Sequence, residues 1–488
     1  MKYSLLLLVF VPFFLSAQEA KLHIEIKNAT AEELYIYKDV FVDADLLFGS
    51  KGMTFMIKDG ELRHDFDLNK PTFIRIIYRE ATSNTRLSYH LFISPGDDLQ
   101  LTIDASDPAA PYLIKGKGSE NNQLPIQAII DEDHGLKAYQ RDSLPFEVFE
   151  AIKFAGKQKQ KALAAYIESF QPSASFIKTF KLLADSYVTR TYLKFQGKQR
   201  YTARDFYQRN QAQWLNISDS LTTNLDLNNA ALLDIPSHLY FLYSYTLRIK
   251  ERAQENPKLL AIYDADESTS SNVLIGKVID QHFSGRTAEF VYASLFKQNI
   301  GDDDLDLPVV FDRFKAKYPN SSYLSKIEPS ITQIKAQIQG TMTDEMSLVE
   351  DTEKLQTMED VLQIVKGKTV LLDMWGTWCG PCRSEFSKHA EALKAHFEAK
   401  GVDFLYIANY DLKNIDKWKK LIAYYNLKGT HILASQALTN DIMKKVGGTG
   451  YPTYVIIKKD GSYARPSTAY PIKREALIED LEQALKQE

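Results

Sequence analysis

Cysteine is nearly absent: two residues, Cys379 and Cys382, in a chain of 488. A framework of structural disulfides is thereby excluded, and a chain of this length must draw its stability from buried apolar surface. Beyond the N-terminal segment no run of about eighteen apolar residues occurs, so the remainder offers no candidate membrane-spanning helix. Charge of one sign is missing too. Lys+Arg 59 against Asp+Glu 63 leaves a net charge of −4, with neither a basic arm nor an acidic tail. Nothing in that balance suggests nucleic acid or an anionic membrane surface as a partner. Gly116-Lys117-Gly118 lacks the third glycine of a phosphate-binding loop, has Asn121 in its place, follows no βαβ unit, and reads as a linker turn. No motif for an electron-carrying cofactor is present.

What is present begins with Met1-Lys2, an apolar stretch from Tyr3 to Leu15, and Ser16-Ala17-Gln18. A charged start, short hydrophobic segment and small-residue exit predict a secretory signal peptide over 1–17, or an N-terminal anchor if it is not cleaved. No cysteine follows it, which excludes a lipid-modified N-terminus. The length then suggests roughly three domains. From Lys21 to about Lys115 apolar residues alternate, as in Leu22/Ile24/Ile26, Leu34/Ile36, Leu62/His64/Phe66/Leu68 and Leu99/Leu101/Ile103, with turns at Asp59-Gly60 and Pro95-Gly96-Asp97-Asp98. That period of two predicts an antiparallel β-domain over 18–117. Helical spacing replaces it over 118–340, where Ile327, Ile331, Ile334 and Ile338 form a stripe with Pro329 in the first turn, predicting an α-helical domain. Thr341 to Thr357 is polar and acidic, fitting a linker. After it, strand-like and helix-like runs alternate to the end: 369–373, 380–400, 402–409, 415–426, 441–446, 453–457, a turn at Asp460-Gly461 and a last helix from about Lys473. The whole reads as a multidomain α+β and α/β chain.

Both cysteines fall in the run Val370 to Cys382, spaced C-x-x-C directly after an apolar strand-like segment. A strand ending at Cys379 and a helix starting behind it aim the first thiol at solvent from a helix N-terminus, where unpaired N–H groups favour thiolate. Cys379 is the candidate nucleophile; lowering its pKa from about 8.5 to about 7 would raise its thiolate fraction at neutral pH to roughly half. Cys382, one turn later, is placed to resolve a mixed disulfide. A purely structural bridge across so short a loop would contribute only about 2 kcal/mol. A zinc site would need two more ligands, and His389 and His396 lie about 10 Å apart along a helix axis, too far to share one tetrahedral ion. No metal is therefore expected.

Leu372 to Glu385, with its Trp375-Gly376-Thr377-Trp378-Cys379-Gly380-Pro381-Cys382 core, and Gly450 to Ile456 together resemble thioredoxin-fold proteins, in particular exported TlpA/ResA-like thiol-disulfide oxidoreductases. The resemblance covers roughly the last 140 residues and implies a thioredoxin fold there. It implies that Pro452 is a cis-proline facing the dithiol, with Tyr451 offering backbone groups to an extended substrate and the missing proline N–H leaving the thiols open. It makes Asp373 the buried acid behind Cys382, where a desolvated carboxylate can accept that thiol's proton. Trp378, Gly380, Pro381, Tyr451 and Pro452 are the implied substrate-binding residues; Trp375 and Trp378 shape and shield the site. Arg383 and Glu385 are expected on an exposed first-turn face. Gly380-Pro381 matches reductants and lacks the histidine of strong oxidants. The implied partners are disulfide-containing exported proteins and a membrane or soluble thiol donor, with no cofactor. A thiol peroxidase is a weaker alternative, since its pattern needs Pro at position 372 and Ser or Thr at 376, where Leu372 and Gly376 stand. A redox-sensing protein that binds a peptide or ligand is another.

Overall fold

The structure is a computed structural model describing residues 18–31, 33–38, 44–48, 52–79, 86–107, 112–123, 143–223, 225–301, 305–468 and 472–486; the expected signal segment lies outside them. Contacts divide it into two compact units, one of residues up to 269 with 274–294, the other of 270–273 with 295 onward. No described helix is long and apolar enough to cross a membrane.

In the first unit, Ala20, Leu22, Ile24 and Ile26 are buried while their neighbours point outward, so this segment forms a strand with one dry face. The unit has eight strands among its described residues: β1 (Gln18–Lys27), β2 (Glu33–Lys38), β3 (Met53–Met56), β4 (Glu61–Leu68), β5 (Thr72–Arg79), β6 (Arg86–Ile93), β7 (Asp98–Asp104) and β8 (Leu113–Lys117). They form two four-stranded sheets, ordered β4-β1-β7-β8 and β3-β2-β5-β6. Their inner faces share one core that includes Ile24, Leu34, Phe66, Ile74, Tyr78 and Leu101. Pairing is antiparallel throughout except between β1 and β7. Alternation does not reveal β5, because that strand is buried on both faces: Ile74, Ile76 and Tyr78 enter the sheet core, and Phe73 packs with Phe92 of β6 against Phe176 and Phe180.

The expected linker turn at 116–118 begins inside a strand. Gly116 pairs with Leu99 in β8 at φ +96°, and a Cβ there would lie 2.0 Å from the Asp98 carbonyl oxygen, which is why glycine occupies it. The chain then turns through Asn121 and Asn122. Asn122 pairs its side chain with both backbone groups of Phe92, accepting from N at 2.8 Å and donating to O at 2.9 Å, and Asn121 accepts from Ser173 N at 2.9 Å. Ser173 caps a helix over Ala174–Thr202 that packs beside Pro145–Phe170. Further helices run through Gln211–Thr222, Pro236–Gln254 and Gly285–Asn299.

The second unit begins with helices at Leu307–Lys317 and Leu324–Ile338. Pro329 lies inside the latter and not in its first turn; burial of Ile327 draws one more turn into the helix. A six-stranded sheet follows, ordered β14-β13-β10-β11-β12-β9, from β9 (Met346–Leu348), β10 (Thr369–Trp375), β11 (Val402–Ala408), β12 (Gly429–Leu433), β13 (Thr453–Ile457) and β14 (Tyr463–Ala464). β9 falls in the stretch read as a linker and pairs parallel with β12, adding an edge strand. β12 leaves little sign in the sequence, its buried run being only His431-Ile432-Leu433.

Every residue of β10 is buried. Val370, Leu372 and Met374 face a core with the helices Met358–Ile364 and Gln436–Val446. Leu371 faces the opposite core, with Leu393 and Phe397 of the helix behind the cysteines and Leu477 and Leu481 of the last helix, Arg474–Lys486. Asp373, two residues beyond Leu371, shares that second face.

Replacing Asn122 by alanine leaves Phe92 N and O buried without their partners, at about 1–3 kcal/mol for each such group. A urea titration followed by circular dichroism is expected to show a loss of about 2–4 kcal/mol in unfolding free energy; a loss under about 0.5 kcal/mol would contradict that role.

Candidate active site

β10 ends at Trp375, and the next four residues carry the chain to a helix whose N-cap is Cys379, at φ −84° and ψ 96°. Cys379 N donates to Gly376 O at 3.0 Å and Cys382 N to Cys379 Sγ at 3.2 Å. The cysteines form a disulfide with an S–S distance of 1.97 Å. Cys379 is 3% exposed, not displayed to solvent as its place at the helix start implied, because its sulfur is tied to the fully buried Cys382. The helix runs from Gly380 to Phe397 with a π-turn over Phe386–Ala390, a form of helix defect common at functional sites.

The loop before Cys379 is fixed by polar groups that follow β11. The fully buried Asp411 carboxylate accepts from Thr377 N at 2.7 Å and from Thr377 Oγ1 at 2.6 Å. Asn409, also fully buried, donates Nδ2 to Trp375 O at 2.7 Å and accepts from Thr439 Oγ1 at 2.9 Å. Trp378 Nε1 donates to Asn409 O at 2.9 Å. A Cβ on Gly376 would sit 2.4 Å from that same Nε1, so the glycine makes room for the indole. Between the two anchors, Tyr410 adopts φ +59°, a conformation a bulky residue takes only when its surroundings impose it.

Tyr410 and Trp378 are 51% and 48% exposed. Their ring centroids lie 6.0 Å apart, and each faces Tyr451, at 6.4 Å and 5.3 Å. Burial and the neighbouring Tyr410 hydroxyl push the Tyr451 hydroxyl up from its ordinary pKa. The Tyr451–Pro452 peptide bond is cis. Thr453 Oγ1 braces this turn by donating to Gly450 O at 2.6 Å. Gly380 is half-buried, and Pro381 is exposed beside the N-cap.

Behind this surface, Asp373 is 3% exposed and its carboxyl is pushed up to about 8, by burial first and by Glu385 second, against the hydrogen bond from Tyr454 and the charge of Arg474. The expectation that Arg383 and Glu385 lie on an exposed face is overturned. Arg383 is buried, and Glu385, its side chain 13% exposed, pairs with Arg474. Cys382 is the cause: it points inward, and the residue three later on the same helix must share its face. That spacing was the available signal for Glu385. Arg474, Tyr406 and Tyr454, and the Asn409-Tyr410-Asp411 loop, carried no such local sign.

A family model described as Redoxin matches residues 341–481. The thiol-disulfide oxidoreductase ResA of Bacillus thuringiensis subsp. konkukian (strain 97-27) is 32% identical over 126 residues, 26% of this chain and 66% of that protein. ResA of Bacillus subtilis (strain 168) is 48% identical over 44 residues, 9% of this chain and 24% of its own. Both matches span less than two thirds of the relative's length. Among solved structures, the thioredoxin domain of a thiol-disulfide oxidoreductase from Bacteroides vulgatus is 21% identical with a TM-score of 0.22, covering 25% of this chain and 84% of that one. The C-terminal region is thus a thioredoxin-family domain. Within that family it is TlpA/ResA-like.

Raising the Asp373 pKa from 3.8 to about 8 means the folded chain holds a proton that the unfolded chain has released over that interval. The stability this proton confers is complete below about pH 4 and lost as pH rises through about 8. Asp373→Asn removes the dependence, so its advantage over the native chain is expected to grow by up to about 1.4 kcal/mol per pH unit in that window. Urea titrations of the oxidised proteins at pH 5 and pH 8 measure it; a difference that does not change with pH would contradict the buried acid.

Proposed function

We propose that this chain is an exported, periplasmic thiol-disulfide oxidoreductase that reduces disulfides in other exported proteins. The observation that carries the reading is the Cys379–Cys382 pair at a helix start, in a domain that also bears the cis Tyr451–Pro452 bond and a buried carboxyl on the strand leading to the pair.

In the proposed cycle the reduced chain begins with Cys379 as thiolate, favoured by the N-terminal end of its helix. Its sulfur attacks one sulfur of a client disulfide; the client S–S bond breaks, a Cys379–client disulfide forms, and the other client sulfur leaves and takes a proton. Cys382 then loses its proton to the Asp373 carboxylate and attacks Cys379 Sγ. The mixed disulfide breaks, the second client sulfur leaves as thiolate and takes a proton from solvent, and the Cys379–Cys382 bond forms. Two electrons have passed to the client, and a thiol donor returns them by the reverse exchange. Gly380-Pro381, without the cation that stabilises thiolate in strong oxidants, favours the reducing direction.

The client lies as an extended segment along Tyr451 and Pro452, and the absent proline N–H keeps that backbone from capping the sulfurs. Trp378 and Tyr410 receive an apolar residue beside the client cysteine; large rings exposed together at a reactive site suit that task. The division into a β-domain over 18–117, a helical domain over 118–340 and the redox domain beyond is proposed as well, with the first two selecting the client.

With insulin as disulfide substrate and dithiothreitol as donor, Cys379→Ser is expected to lower turnover at least about 100-fold. Cys382→Ser is expected to accumulate a one-to-one adduct, visible by mass and released by reductant; absence of that adduct sinks the proposal. Tyr410→Ala is expected to raise KM for an apolar disulfide peptide about 3- to 10-fold with little change in kcat, and an unchanged KM would remove Tyr410 from the client surface.

A further inference from the structure

Resting on that reading, a second question concerns the proton that Asp373 accepts. A carboxyl this deeply buried must also lose it, or the site works once.

The carboxyl lies beside a cavity of about 20 Å³, enough for one water. Its lining brings together Asp373, Glu385 and Arg474, with Tyr406 of β11 and Tyr454 of β13 beside them. Asp373 Oδ1 and Arg474 Nε are both buried without a hydrogen-bond partner. Two such orphans on one small cavity call for a mobile hydrogen-bonding partner between them. Arg474 Nη2 donates to Glu385 Oε2 at 2.5 Å, and these side chains, at 21% and 13% exposure, mark the way outward. Among the described residues, Arg474 is the only cation lining the cavity, and it comes from the last helix, some ninety residues along the chain from Glu385.

We propose that Arg474 is a positioning residue of the redox reaction: by pinning Glu385 at the edge of this cavity, it keeps a carboxylate where a water carries the Asp373 proton out. The proton given up by the Cys382 thiol passes from Asp373 to the water, which gives one to Glu385, and Glu385 releases it to solvent. No electrons move in this relay, and each carboxylate ends as it began. The groups facing Asp373 are Glu385, Arg474, Tyr406 and Tyr454. Glu385 opposes ionisation of Asp373 and Arg474 favours it, so removing either one displaces the titration in a direction set by its charge.

The test uses the full chain and reads two steps separately. Adduct formation with insulin, measured in the Cys382→Ser background, reports Cys379 alone and is expected to keep its rate when Arg474→Met is added. Turnover in the Cys382-containing chain, followed from pH 6 to 9, is expected to shift its rising limb toward alkaline pH by about one unit in Arg474→Met, a tenfold loss on that limb. Glu385→Gln, which removes both the charge and the relay's acceptor, is expected to shift it the opposite way and to lower its plateau, and Arg474→Lys to restore most of the native profile. In an Asp373→Asn background Arg474→Met is expected to move nothing further. Unshifted profiles in both charge variants, or an equal loss in both steps, would overturn the proposal and leave Arg474 a structural tie. If Arg474→Met does not fold, Glu385→Gln decides: an acid-ward shift with a lowered plateau supports, an unlowered plateau or no acid-ward shift overturns. Failure of Cys382→Ser to form any adduct would instead sink the oxidoreductase reading itself.

Discussion

The burial of β10 on both faces is the constraint from which the site follows. A strand with no wet side can alternate only between two cores, so a carboxylate placed on it is desolvated wherever it falls. Asp373 falls on the face shared with the last helix and with the helix that opens behind Cys379. The same strand delivers the chain to Gly376 with a fixed direction, because Trp375 is fully buried at its end. Strand, acid and thiol are one construction: loosening the cover over β10 would rehydrate Asp373 and misdirect the cysteine loop together.

With no other cysteine in the chain, the loop between Gly376 and Cys379 is held by hydrogen bonds. Asp411 takes two from Thr377, Asn409 takes Trp378 Nε1 on its carbonyl and gives its amide to Trp375 O, and Thr439 orients Asn409 in turn. All of these partners are redox-inert, so opening and closing of the Cys379–Cys382 bond leaves the scaffold's connections in place. A buried carboxylate accepting two charge-assisted bonds is also a stiff anchor. That stiffness is what holds Tyr410 at a positive φ, where it meets Trp378 and Tyr451 on the outer surface.

Much of this was legible in the sequence where a local pattern carried it. The alternation in β1, β2, β4 and β7 is visible because each has one wet face; β5, dry on both faces, shows none. Strands β10, β11 and β13 were legible as compact apolar runs, whereas β9 and β12 are too short and polar to rise above their surroundings. The dithiol, Asp373 and the cis bond at Pro452 came from two motifs read together. What the sequence hid are groups brought in by topology: Arg474 from the last helix, Tyr406 and Tyr454 from flanking strands, Asp411 from the loop opposite. Glu385 is the intermediate case, since its three-residue spacing from Cys382 predicted an inward face once Cys382 was known to be buried.

A free aspartic acid, ionised well below neutral pH, would be a poor base for a thiol whose ordinary pKa is about 8.5. Burial brings the Asp373 carboxyl to about 8, where proton exchange with such a thiol is nearly balanced in energy. That match has a thermodynamic consequence, since holding the acid neutral in the fold makes the domain less stable as pH rises. Placing leucine or asparagine there would remove the penalty and, with it, the proposed base. The domain tolerates the cost because its sheet is covered on both faces by extensive apolar packing, which leaves room for a destabilised group where the proposed chemistry calls for it.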